Sequence, residues 1–121
     1  SEITYRSGNL SVILEKMSGP VLKLIEKNKR LYAITKNEIF IIDQFGALLK
    51  TIPISASKGL IIKENNLLCY DGLFLKLYEI LNFKTDTIKK SDKFFKITGY
   101  SDQIMGLSKN RKDLFFMRFL R

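Results

Sequence analysis

The 121-residue chain has no histidine, no tryptophan, one cysteine and two prolines. Without histidine it lacks the commonest general base and the commonest zinc ligand, and Ser–His and Cys–His nucleophilic sites are impossible. A single cysteine, Cys69, cannot close an internal disulfide, so no cystine framework holds this fold together. Cys69 lies inside the apolar run "LLCY" and reads as a small buried hydrophobe, because a reactive thiol needs a basic, accessible setting. None of the glycine-rich fingerprints for nucleotides occurs, and no Asp/Glu cluster resembles a calcium loop. Asp86 and Asp92 sit on a Lys-rich stretch and read as solvated surface. Asp43 and Asp71 follow apolar runs and read as turn caps. No apolar run approaches the length of a membrane span, and no signal-peptide pattern opens the chain. These absences lead to the expectation of a chain that is not an enzyme and needs no metal or cofactor. A cytoplasmic location is favoured. The first residue is Ser1 rather than Met, which leaves a processed periplasmic or secreted form open.

What is present is an apolar chain with a strong positive charge. Hydrophobic residues make up 45%, enough for a real core, and nine Phe and five Tyr carry all the aromatic content. The formal net charge is +9, a balance that favours anionic partners such as nucleic acid, acidic lipid surfaces or acidic proteins. Lys, Ile, Asn and Phe are together abundant, which AT-rich codon usage also produces.

Helical periodicity is weak. Short apolar or alternating runs dominate, bounded by Gly, Asn, Asp, Ser and Lys. Three of them share a form: "LIEKNKRLYAI" (24–34), "LIIKENNLLCY" (60–70) and "LSKNRKDLFFM" (107–117). Each is an apolar run, a polar turn and a second apolar run. Calling the strands of a repeat a, b, c and d, one unit is a 21–27, b 30–35, c 38–43 and d 47–54. A second is a 59–64, b 66–71, c 73–80 and d 93–99, with an insertion, "LNFKTDTIKKSD", at 81–92. The run "LFLKLYEI" at 73–80 tolerates a helix, but Gly72 and Asn82 beside it favour a strand. Residues 2–17 match a c–d hairpin and residues 103–119 an a–b hairpin. Serines precede apolar residues Val21, Leu60 and Ile104 by three, at spacings of 39 and 44 residues. The order is c-d, a-b-c-d, a-b-c-d, a-b.

A period near 40 with four strands per unit is the signature of a propeller blade. The chain resembles the β-propeller repeat superfamily, of the WD40-like or quinoprotein-like kind, although the Gly-His and Trp-Asp signatures and the tryptophan docking pattern are missing. The resemblance implies an all-β fold of four-stranded antiparallel blades, about three blades' worth over a single domain spanning 1–121. Closed propellers have about four to eight blades, so three form an incomplete propeller. Another all-β sandwich or open sheet with similar hairpins is the competing reading. An incomplete propeller is completed as a piece of a longer chain, by a protein partner, or by a second copy of itself.

Propeller topology sorts loops by face. In the order above, the a–b and c–d side collects Lys27, Lys29, Arg30, Lys84, Lys89, Lys90, Lys109, Arg111 and Lys112, the candidate residues for an anionic partner. Phe83, among lysines, is placed to stack on a base. The "RKDLFFMRF" stretch near the end reads as a hairpin burying Phe115, Met117 and Phe119 rather than as an RNA-binding box. The expected function is a non-catalytic protein–protein interaction or scaffolding module of a larger assembly. The alternative is a basic nucleic-acid-binding module using the Lys/Arg-rich loop face.

Overall fold

The computed structural model describes residues 19–100 and 103–118, and every regular element in them is a β-strand. Eleven strands follow one another: β1 (Lys23–Lys27), β2 (Arg30–Ile34), β3 (Ile39–Asp43), β4 (Leu48–Ile52), β5 (Gly59–Lys63), β6 (Asn66–Tyr70), β7 (Phe74–Glu79), β8 (Lys84–Lys90), β9 (Phe94–Tyr100), β10 (Gln103–Ser108) and β11 (Leu114–Arg118). They form three antiparallel sheets, ordered β1-β2-β3-β4, β5-β6-β7-β8 and β11-β10-β9. Each strand pairs with its sequence neighbour, so each sheet is a meander, as a propeller blade is. The chain divides into two compact units between Ser55 and Ala56. The first sheet lies in one unit and the other two sheets lie in the second.

The hairpins follow from turn chemistry. In β1–β2, Lys27 faces Arg30 across a two-residue turn whose Asn28 and Lys29 both have positive φ, 55° and 62°. That is the primed turn whose twist matches the strands it joins. Asp43 closes β3–β4: its Oδ1 accepts from the N–H groups of Phe45 (2.8 Å) and Ala47 (2.9 Å). Asp71 does the same for Leu73 (2.9 Å) and Phe74 (2.8 Å). Both aspartates are turn caps, as their positions after apolar runs imply.

The inner strands are the apolar ones. Ile39, Phe40, Ile41 and Ile42 of β3 are all buried, and so are Leu67 to Tyr70 of β6. Uninterrupted apolar runs of this kind suit strands covered on both faces. Cys69 is fully buried, and desolvation pushes its thiol up to about 12, with Lys76 pulling weakly the other way. It packs as a hydrophobe, as its setting in "LLCY" implies. The segment 73–80 is a strand, as its flanks favoured.

The strand assignment for the second repeat needs correction. The stretch read as an insertion at 81–92 contains β8, the fourth strand of the second sheet, and 93–99 is not that fourth strand but most of β9, which opens the third sheet. β8 has one large apolar residue, Ile88, and six of its seven residues are exposed. An outer strand that meets water carries charge rather than alternation, so periodicity passes over it. The third repeat is therefore a-b-c rather than a-b over the described residues. The c–d hairpin expected at 2–17 lies outside the described residues.

The second and third sheets pack through a close seam. The N–H of Ile97 donates to the Lys58 carbonyl at 2.9 Å. Gly59 sits beside it at φ +155°, where a Cβ would stand 2.5 Å from the Ile97 carbonyl oxygen. Leu68, Tyr70, Leu75, Phe94, Ile97 and Ile104 form the core there, with Ile61 and Met117 against them. Tyr70, fully buried, donates its hydroxyl to the carbonyls of Ser91 (2.7 Å) and Phe94 (3.1 Å). Burial raises its pKa, against the lowering effect of the Phe94 bond.

Candidate interaction surface

The third sheet has two unlike faces. Directly paired residues of an antiparallel sheet point the same way, so its rows follow from register. One face carries Ile97, Ile104, Gly106, Phe115 and Met117, turned toward the core. The other carries the rows Lys96–Leu107–Leu114 and Thr98–Met105–Phe116, with Tyr100 beyond. The Tyr100 and Phe116 rings meet at 6.3 Å, and both side chains stay open, at 61% and 57% exposure. Leu114 is equally open at 57%. Met105 and Leu107 are half-buried. Paired aromatics beside aliphatic side chains and a polar rim are what a protein-binding patch presents.

The β11 strand differs from the expected hairpin burial. Phe115 touches Phe94 edge-on at 5.9 Å but is 48% exposed, and Met117 is only partly buried. Phe119 lies outside the described residues. β11 is the outer strand of its sheet, and no further strand is paired to it among the described residues.

A basic cluster stands at the β10–β11 turn. Three cations converge on the Phe95 ring: the Arg111 guanidinium at 4.6 Å, the Lys58 ammonium at 4.8 Å and the Lys96 ammonium at 5.7 Å. Arg111 has a left-handed backbone, φ 62°. The turn holds it there: the Ser108 hydroxyl donates to Asn110 Oδ1, which also accepts from the Lys112 N–H at 2.8 Å. The Arg111 N–H donates to the Ser108 carbonyl at 2.9 Å, and the Asp113 N–H to Ser108 Oγ at 3.1 Å. A non-glycine residue in this region costs about 1–3 kcal/mol and persists only where its surroundings enforce it.

The nine residues singled out from the sequence do not share one end of the strands. Lys27, Lys29 and Arg30 are at the β1–β2 turn of the first unit. In the second unit Lys84 opens β8 opposite Glu79. Lys89 and Lys90 close β8 at the opposite end, with the Lys90 ammonium 5.9 Å from the Phe74 ring centre. Lys109, Arg111 and Lys112 fill the β10–β11 turn, which lies at the end where β9 begins. Making β8 the fourth strand moves five of the six second-unit residues to the side first assigned to the b–c and d–a loops. The end holding Lys84 has instead a shallow cavity of about 220 Å³ lined by Glu64, Asn65, Asn66, Glu79, Leu81 and Asn82. Phe83 is there too, 66% exposed. Lys58 and Lys96 were absent from the sequence-derived set. Among the described residues no group of three or more His, Cys, Asp or Glu side chains gathers to hold a metal.

No protein-family model matches the chain, and no curated protein matches it. Solved structures do. Similar to it is the AfRom2 CNH domain, at TM-score 0.63 and 10% identity over 94% of this chain and 39% of that one. The N-terminal domain of Nup159 follows at TM-score 0.55 and 14% identity, over 82% of this chain and 28% of that one. A third is an S. cerevisiae structure of a Dbp5 variant bound to Nup159, a Gle1 variant, IP6 and ADP, at TM-score 0.52 and 13% identity over 82% and 30%. The CNH and Nup159 domains are propeller-type folds. The likeness is one of fold: an all-β chain of antiparallel, propeller-like sheets. The chain spans about two-fifths of the AfRom2 CNH chain and under a third of the Nup159 chains. Among the described residues no helix is long and apolar enough to cross a membrane.

Proposed function

We propose that this chain is a non-catalytic protein–protein interaction module, a scaffolding part of a larger assembly, acting as one β-repeat domain over 1–121. The observation that carries the reading is the open face of the third sheet, where Tyr100, Leu114 and Phe116 stay exposed beside Met105 and Leu107. Burying such a patch supplies association energy at roughly 25 cal/mol per Å² of apolar area. A partner protein is the natural cover. The S. cerevisiae structure named above holds Nup159 in a protein assembly, which is in keeping with a propeller-type fold used for docking. Of the basic residues, Lys109, Arg111 and Lys112 at the β10–β11 turn of the same sheet then act as electrostatic guides for an acidic partner rather than as a nucleic-acid face.

Affinity isolation from the cells that express the gene tests this. The tagged full chain and its Tyr100→Asp/Phe116→Asp variant are compared after nuclease treatment. One or more proteins retained by the parent and lost from the variant is the expected result. An unchanged protein set overturns the reading, and so does material that nuclease abolishes, which instead favours the nucleic-acid alternative.

A further inference from the structure

We infer that the partner meets this chain through an extended, acidic segment that adds to β11 as the fourth strand of its sheet. The inference rests on the interaction-module reading and names the partner's chemistry. The first two sheets each have four strands, the outer ones being β4 and β8, while the third has three among the described residues. The Ser108 N–H bonds the Asp113 carbonyl at 3.0 Å. Hydrogen-bonded and non-bonded pairs alternate along an antiparallel ladder, so the N–H and C=O groups of Leu114 and Phe116 turn away from β10. An extended segment satisfies such a row with its own main chain.

Side chains on both faces suit an added strand. Phe116 and Leu114 stand on one face and Phe115 on the other, all exposed. A segment with apolar residues at alternate positions covers these rings. Charge supplies the second requirement. Lys109, Arg111 and Lys112 sit in the turn where β11 begins, and Lys58 and Lys96 stand with Arg111 round Phe95. Among the described residues no ion pair joins Lys58, Lys96 or Arg111 to a carboxylate, and Asp113 is the one acidic residue of the turn. Arg111 is held in place by the left-handed turn, so its forked guanidinium is set before a ligand arrives. Carboxylates at one end of the incoming segment complement this cluster. A second copy of the chain does not: each molecule carries a formal net charge of +9, so two copies repel where the cluster calls for carboxylates.

Two blocked synthetic peptides of about eight residues, a strand's length, serve as probes. One alternates Glu with Val and the other Lys with Val. Each is titrated into the isotope-labelled full chain while backbone amide signals are followed. The Glu–Val probe is expected to shift the amides of Leu114–Met117 and to bind at least about tenfold tighter than the Lys–Val probe, the size of two or three exposed charge pairs. Arg111→Gln with Lys58→Gln should erase that preference and leave the amide spectrum of the fold intact. Hydrogen exchange of the free chain should be fast at Leu114 and Phe116. Equal binding of the two probes overturns the acidic part. Absence of shifts in β11 overturns the inference altogether. Slow exchange at those two amides in the free chain does so as well, because the edge is then already covered by this chain or a second copy. None of these failures touches the module reading, which is decided by the affinity isolation with the Tyr100/Phe116 variant and nuclease described above.

Discussion

Gly59→Ala tests the seam that holds the second sheet to the third. The added Cβ stands 2.5 Å from both the carbonyl oxygen and Cγ1 of Ile97, and 3.2 Å from the Ile97 carbonyl carbon. The side-chain atom can rotate away, but the carbonyl is fixed by β9. The backbone at φ +155° is also one that L-residues rarely adopt. Strain of about 1–3 kcal/mol, a clash of similar size and the weakened Lys58–Ile97 hydrogen bond add up. The reduced freedom of the unfolded chain returns about 0.4–1 kcal/mol. The net loss is about 3–5 kcal/mol, a large share of a small domain's stability. Gly99→Ala is the matched control. Its Cβ meets only the Ile61 side chain, at 3.3 Å, and its backbone is not at positive φ, so the cost stays under about 1 kcal/mol. Urea unfolding followed by circular dichroism and tyrosine fluorescence reads the difference. With a urea slope of about 1–3 kcal/mol/M, Gly59→Ala lowers the midpoint by about 1–5 M. A midpoint no lower than that of Gly99→Ala refutes the seam.

Tyr70→Phe removes the hydroxyl that serves the Ser91 and Phe94 carbonyls; a loss of about 1–3 kcal/mol in the same urea assay is expected, and a loss under about 0.5 kcal/mol contradicts that role. Cys69, with its thiol pushed up to about 12, should react with a thiol reagent at pH 8 about a thousandfold more slowly in the native chain than in urea; equal rates contradict its burial. The sign of its pH effect is fixed too: the folded value lies above the unfolded one, so its contribution is complete below about pH 9 and is lost as pH rises toward 12. Asp43→Ala, which deprives the Phe45 and Ala47 amides of their acceptor, should cost about 1 kcal/mol, while Asp43→Asn, which keeps a side-chain oxygen, should cost less; the reverse order contradicts the cap.

How much was legible depended on where each strand meets water. "EIFIID" and "NLLCYD" announce β3 and β6 because each of these inner strands buries four consecutive side chains, and apolar runs survive there. β8, "KTDTIKK", is an exposed outer strand, and its composition is that of a loop. Missing it displaced the fourth strand to 93–99 and moved the later loops to the wrong side of the repeat. The hairpin "LSKNRKDLFFM" looks like the two a–b hairpins because turn chemistry repeats wherever two strands turn; its place in the blade is set by the strand before it. The site was half legible. Lys109, Arg111 and Lys112 stand out as a basic turn, but Lys58 lies 53 residues before Arg111. Only the β5–β9 seam brings Lys58 to the same ring.

The most direct test of the central claim is photo-cross-linking in the native cells, with a benzophenone amino acid at position 116 and, as control, at the exposed Phe83. The account predicts a reproducible adduct to one or a few proteins from position 116 that position 83 does not give. Cross-linking at 116 no stronger or more selective than at 83 contradicts the claim that this open sheet face is where the protein works.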